Sequence, residues 1–251
     1  EGEFIIPAHF YKAECDYKQG KKEDALKAYL YVANKPNNRF TETAVSKAAE
    51  ISFTSKKYKE ALEMFIKLEE VSTRSEHSII AKDGKMKCYF LLKEYESAIS
   101  AARDILSTKK VSSELINQAH FTIARSAYAL DKTSLAQAEF DITSKLTKGI
   151  IGAESKYYLA LIQYNQGNYE IAEKLIFEFI DEFSSYDYWL GRSFILLADI
   201  YTQTGDLFQA KQTLQSIIDN YEGADLIEIA YEKQNAILEM EKEEEKKKRE
   251  E

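Results

Sequence analysis

Two short stretches, YNQGNYEIA (164–172) and YTQTGDLFQA (201–210), carry nearly the same pattern. Each runs from an aromatic through a polar step to Gly, then to an apolar residue with Ala three positions later. The closing alanines, Ala172 and Ala210, have counterparts along the chain at Ala25, Ala61, Ala98 and Ala136, in KEDALKAY, YKEALEMF, YESAIS and SLAQAEF. The interval is 36–38 residues throughout, so the chain is read as six copies of one unit.

Other columns keep step with these anchors. Twelve residues earlier stand Ala13, Ala49, Met86, Ala124, Ala160 and Ala198. Eight residues earlier stand Tyr17, Phe53, Phe90, Tyr128, Tyr164 and then Thr202. Four residues later come Tyr29, Phe65, Ala102, Phe140, Ile176 and Leu214. Spacings of three and four give a helix an apolar stripe, and small residues at matched places let two helices pack closely. Each unit therefore reads as a pair of antiparallel helices. Gly20, Gly167 and Gly205 stand at the turn, where a helix C-terminus favours positive φ. Lys56, Lys93 and Asp131 hold that place in the other units, so a differently built turn is expected there.

Composition agrees. The 251 residues include only two prolines and nine glycines, too few for frequent hairpins, so the chain reads as mostly helix. A net charge of −8 argues against a nucleic-acid surface, which needs a basic stripe. No apolar run approaches the ~18 residues of a membrane-spanning helix, so no membrane insertion is expected. Cys15 and Cys88 are read as small buried hydrophobes. His9, His77 and His120 stand far apart, and no metal-ligand spacing, phosphate loop or nucleophile motif is present. The reading is of a non-catalytic chain with no cofactor and no metal.

The small–aromatic–Gly–Tyr–small–aromatic order resembles the tetratricopeptide repeat, whose usual period is ~34 residues. LALIQYNQGNYEIAEKLI and LLADIYTQTGDLFQAKQTL are close matches, while IARSAYALDKTSLAQAEF departs at its turn. The resemblance covers residues 6 to 224. It implies an all-α, right-handed α-solenoid of six helix–turn–helix units, at about 6–40, 41–75, 76–112, 113–148, 149–185 and 186–224. Residues 225–251 then form a solvating helix and charged tail, with an apolar face at Leu226, Ala230, Ile237 and Met240. Glu243, Glu244 and Glu245 stand four residues ahead of Lys247, Lys248 and Arg249. The first unit starts close to residue 1 without a polar cap, which reads as the C-terminal part of a longer array.

The resemblance also implies a concave surface lined by the first helix of each unit, binding another protein or a peptide segment. Positions 15, 11 and 8 before each anchor share one side of that helix. The candidate partner-binding residues there are Lys87, Phe121, Arg125, Tyr128, Tyr157 and Tyr164, aromatic grips beside a basic pair. The competing reading packs the aromatic column into the core. A chain-end carboxylate clamp is matched only loosely, at Lys87, Arg125 and Asn165. Trp189, in the connection 184–191, is read as a plug between units. The long period resembles that of bacterial envelope repeat proteins. It implies envelope assembly in the periplasm or at the outer membrane, with the cytoplasm as the alternative; the pattern carries no signal for oligomeric state. The other functional readings are a structural spacer and a regulatory segment of a longer protein.

Overall fold

The computed structural model describes the backbone of residues 4–250 and the side chains of residues 4–247. Among the described residues every element is helical. In chain order these are α1 (Ile5–Lys18), α2 (Lys22–Ala33), α3 (Thr41–Thr54), α4 (Tyr58–Val71), α5 (Ser75–Leu91), α6 (Tyr95–Ser107) and α7 (Ser113–Ala129). They continue with α8 (Thr133–Leu146), α9 (Ile150–Asn165), α10 (Tyr169–Phe183), α11 (Asp187–Thr204), α12 (Leu207–Asn220) and α13 (Ala224–Glu250). The chain divides into two compact units, Glu1–Lys132 and Thr133–Glu251, the division falling at the turn after α7. Within the first unit each helix packs on the next, and first helices also meet one another, α3 on α5 and α5 on α7. The second unit repeats this, with α9 on α11 and α11 on α13. Each is a run of stacked helix hairpins, the arrangement of an α-solenoid.

The columns read from the sequence form the core. All six anchor alanines are fully buried, and the residues twelve before and four after them are buried too. In the first unit Ala13, Ala25 and Tyr29 meet Ala44, Ala48 and Ile51 in one cluster. In the second unit Ala198, Ala210 and Leu214 join Leu226, Ala230 and Ile237 of α13.

All six turns are built one way. Gly20, Gly167 and Gly205 take φ of 77°, 77° and 85°; Lys56, Lys93 and Asp131 take 60°, 62° and 56°. Each of these residues donates its N–H three residues back, as Lys56 does to Phe53 at 2.9 Å and Gly167 to Tyr164 at 2.9 Å. Each following residue donates five back, as Lys57 does to Ser52 at 2.9 Å and Asn168 to Gln163 at 3.0 Å. This double bond closes a helix with one left-handed residue. The expectation of a different turn at Lys56, Lys93 and Asp131 is therefore corrected. The geometry is fixed by the hairpin, and a side chain at that position is tolerated in the left-handed region.

Other expectations shift as well. Cys88 is buried, but Cys15 is exposed, because it sits two residues from Ala13 and so on the far side of α1. Leu226, Ala230 and Ile237 are buried while Met240 is exposed. The 27-residue α13 lies on α12, a helix of 14 residues, and overshoots it. Lys211 of α12 reaches Glu241 of α13 at 2.6 Å. The pairings expected at Lys248 and Arg249 lie outside the described side chains.

Candidate functional site

The stripe of first-helix residues behaves differently in the two units. In the first unit it is open or half-open: Phe10 and Glu14 on α1, Ser46 and Glu50 on α3, Asp83 and Lys87 on α5, and Phe121, Arg125 and Tyr128 on α7. Between α3, α4 and α5 it surrounds a cavity of about 270 Å³. Phe53, Phe65 and Ile80 make its apolar wall, and Glu50, Asp83 and Lys87 stand around it. Gly84 shapes this wall, because a Cβ there would collide with the Phe65 ring.

Charge in this region is organised by short local contacts. Lys87 Nζ lies 2.7 Å from Asp83, one helical turn away, so it is held on its own helix. Asp83 Oδ1 is buried without a hydrogen bond. Glu50 accepts from the Tyr17 hydroxyl at 2.7 Å and from Lys47 at 2.9 Å. Burial alone would raise the Glu50 carboxyl, but the Lys47 and Tyr17 hydrogen bonds outweigh it and hold the group below its ordinary range. Tyr29 donates to Glu14 at 2.5 Å. The expectation of a basic centre thus meets, at Lys87, a neutralised pair.

The aromatic column does double duty. Phe53 lies 5.6 Å from Tyr58, Phe90 5.9 Å from Tyr95, and Tyr164 5.6 Å from Tyr169, each pair joining the two helices of a hairpin beside its turn. These rings are half-buried, so they pack and also present an edge.

In the second unit the stripe is closed at two positions, Tyr157 and Ile195. Tyr157 is only 4% exposed. Arg192 donates to its hydroxyl at 2.9 Å, and the Trp189 ring lies 5.3 Å away. Ile195 is buried as well, while Leu161, Tyr164, Asp199 and Thr202 are half-buried on this face. Burial, with Asp199 nearby, raises the Tyr164 hydroxyl above its ordinary value. Trp189 belongs to the first turn of α11 rather than to a connection, and it packs between Tyr157 and Tyr158 of the preceding hairpin. The structure thus places Lys87, Phe121, Arg125 and Tyr128 along one face of the first unit and Tyr164 on the second. Tyr157 it puts inside.

A second cavity, of about 580 Å³, lies in the second unit between the start of α11, the end of α12 and the link to α13. Sequence reasoning assigned nothing there. Its one legible signal was aromatic rings set beside glycines, in YDYWLG and YEG. Among the described residues, no group of three or more His, Cys, Asp or Glu is placed to hold a metal ion. Among the described residues, no helix is long and apolar enough to cross a membrane.

Comparison with known proteins agrees with this architecture. Residues 187–224 match the tetratricopeptide-repeat family. No curated protein matches the chain. A tetratricopeptide repeat protein from Parabacteroides merdae is similar with a TM-score of 0.65 and 18% identity, covering 92% of this chain and 86% of that one. The C-terminal part of a repeat protein from Cytophaga hutchinsonii is similar with a TM-score of 0.68 and 13% identity, covering 90% and 88%. YrrB, described as a repeat protein with an unusual peptide-binding site, has a TM-score of 0.58 at 14% identity, covering 82% and 99%. Residues 187–224 thus carry a tetratricopeptide repeat, and the stacked helix pairs of the chain have the fold of these solved repeat proteins.

Proposed function

We propose that the chain is a non-catalytic interaction scaffold that holds a segment of a partner protein against the first-helix face of its first unit. One observation carries this reading. Consecutive first helices, α3 and α5, leave between them an apolar-walled cavity ringed by the stripe residues Glu50, Asp83 and Lys87. Such a recess takes an apolar anchor, while the rim orients the backbone around it. Phe121, Arg125 and Tyr128 extend the same stripe onto α7; the second unit has a first-helix face of its own, with Tyr164 on it and Tyr157 as its buried support. The peptide-binding description of YrrB supports a polypeptide as the ligand class. The long repeat period supports work in bacterial envelope assembly.

A spacer role is the competing reading. It is favoured by the closed Lys87–Asp83 pair and by the hairpin-clasping aromatic pairs, since a passive array needs only packing. The cavity tips the balance, because a spacer has no use for an apolar recess with Ile80 39% exposed on its wall. Selecting peptides from a random library against the purified chain distinguishes the two. Selected peptides are expected to lose at least about tenfold in affinity for Ile80→Glu, the worth of one buried anchor. Unchanged affinity would move binding off this face. Failure to select any peptide would leave the spacer ahead.

A further inference from the structure

The larger cavity has a chemistry of its own. Tyr188, Leu190 and Phe194 of α11 face Tyr221 at the end of α12, so the walls are aromatic and apolar. The charged residues that line it are Asp187 and Glu222, and no Lys or Arg is among the lining. Asp225, two residues after Gly223, adds a third carboxylate near Tyr221. Burial, followed by the charge of Asp225, pushes the Tyr221 hydroxyl above its ordinary value, with smaller contributions from Tyr188 and Asp187.

The two tyrosine walls are fixed in place before any ligand arrives. Arg192 Nη1 donates to the Tyr188 hydroxyl at 3.2 Å, and the Trp189 ring sits edge-on to Tyr188 at 5.1 Å. Tyr221 rests in space that two glycines leave open. A Cβ at Gly223 would collide with its ring, and one at Gly191 would reach within 3.4 Å of it and 2.7 Å of Leu226. One of these walls, Tyr188, already meets a guanidinium: that of Arg192 lies 6.0 Å from its ring.

We propose that this cavity receives the cationic side chain of a partner polypeptide, an arginine or lysine, with Tyr188, Phe194 and Tyr221 around its stem and Asp187 and Glu222 at its charge. Aromatic faces attract cations through their quadrupole, and carboxylates at the rim add charge complementarity. Pre-set rings reduce the ordering cost of binding. The chain's net charge of −8 draws such a partner from a distance, a field weakened by salt. The site lies at the open end of the α11–α12 hairpin, includes none of the stripe residues, and stands independently of the peptide-anchor reading given above.

The test uses the whole chain and two probes of nearly equal shape, N-acetyl-arginine methylamide and N-acetyl-citrulline methylamide. Amide NMR shifts are followed during titration of each. The arginine probe is expected to move the signals of Tyr188, Gly191, Tyr221 and Gly223 saturably, at least about tenfold more tightly than citrulline. The double variant Asp187→Asn/Glu222→Gln, at two exposed positions, is expected to cut arginine binding about tenfold while circular dichroism shows unchanged helix. Equal binding of both probes would overturn the proposal, as would arginine shifts scattered away from the cavity or full affinity in the double variant. None of these outcomes depends on Ile80.

Discussion

At the scale of single residues, one position in each hairpin decides how the chain reverses. Lys56 and Lys93 hold φ near +60°, where a side chain costs roughly 1–2 kcal/mol. Glycine removes that cost but loses about 0.5–1 kcal/mol of backbone entropy. Lys56→Gly and Lys93→Gly are therefore expected to raise the denaturation midpoint slightly, by up to about 1 kcal/mol each. Gly205→Ala should lower it by a similar amount. A Cβ at Gly205 meets nothing within 4 Å, so its penalty is conformational alone. Chemical denaturation of the three variants checks the sign. The cysteines give a sharper contrast. Burial, with the Asp83 charge beside it, pushes the Cys88 thiol up to about 12, whereas Cys15 is exposed. A thiol reagent at pH 8 should titrate one equivalent in the native chain and the second only after unfolding. Two equivalents at native rate would mean that Cys88 is open. The glycine turns were legible in the sequence because glycine announces positive φ. Lys56, Lys93 and Asp131 were not, because their conformation is imposed by a neighbouring pair of helices and leaves no mark on residue type.

At the scale of helices, what decides the recess between α3 and α5 is a missing side chain. Gly84 lies mid-helix in α5, where glycine costs about 1 kcal/mol against alanine. The intrinsic gain from Gly84→Ala is nevertheless outweighed, because the new methyl strikes the Phe65 ring. The expected result is a loss of about 1–3 kcal/mol, read from a denaturant midpoint, together with weaker binding of any peptide anchored there. A stabilised variant would show that Phe65 has room to turn aside. The helical period told which residues face the partner helix, and every anchor alanine follows it. It did not tell that Tyr157 is shut in, since that depends on Trp189 and Arg192 reaching over from α11. Nor did it tell where α13 outruns α12, because an apolar stripe continues in sequence whether or not a neighbour remains to cover it.

At the scale of the whole molecule, buried acids set the pH range of the fold. The Cys88 thiol and the hydroxyls of Tyr29 and Tyr201 all sit above their ordinary values, Tyr201 at about 12 through burial and a hydrogen bond to Glu173. A raised acid keeps its proton better when folded. Its contribution is complete below the ordinary values of 9.0 and 10.0 and is lost as pH rises towards 12. Glu42 and Glu50 are lowered despite burial, by hydrogen bonds from Thr73 and Arg74 and from Lys47 and Tyr17; Glu182 is lowered by Lys148. Their contribution is present above 4.5 and lost as pH falls below it. Denaturation midpoints should hold a plateau from about pH 6 to 9 and decline on both sides. A chain equally stable at pH 11 would contradict the burial of these groups. The fold as a whole was the most legible level, because a period recurring six times averages out local exceptions. The larger cavity was the least, since it joins the start of one helix to the end of the next and no periodicity connects them.

The sameness of the six turns reaches past stability. Because each hairpin turns on one left-handed residue and the same two backbone bonds, any of the six turns is equivalent in backbone to any other. A recombination event that misaligns two copies of the coding sequence by one period would join a familiar end to a familiar beginning. The product would be a chain one hairpin longer or shorter, with every surviving junction already solved.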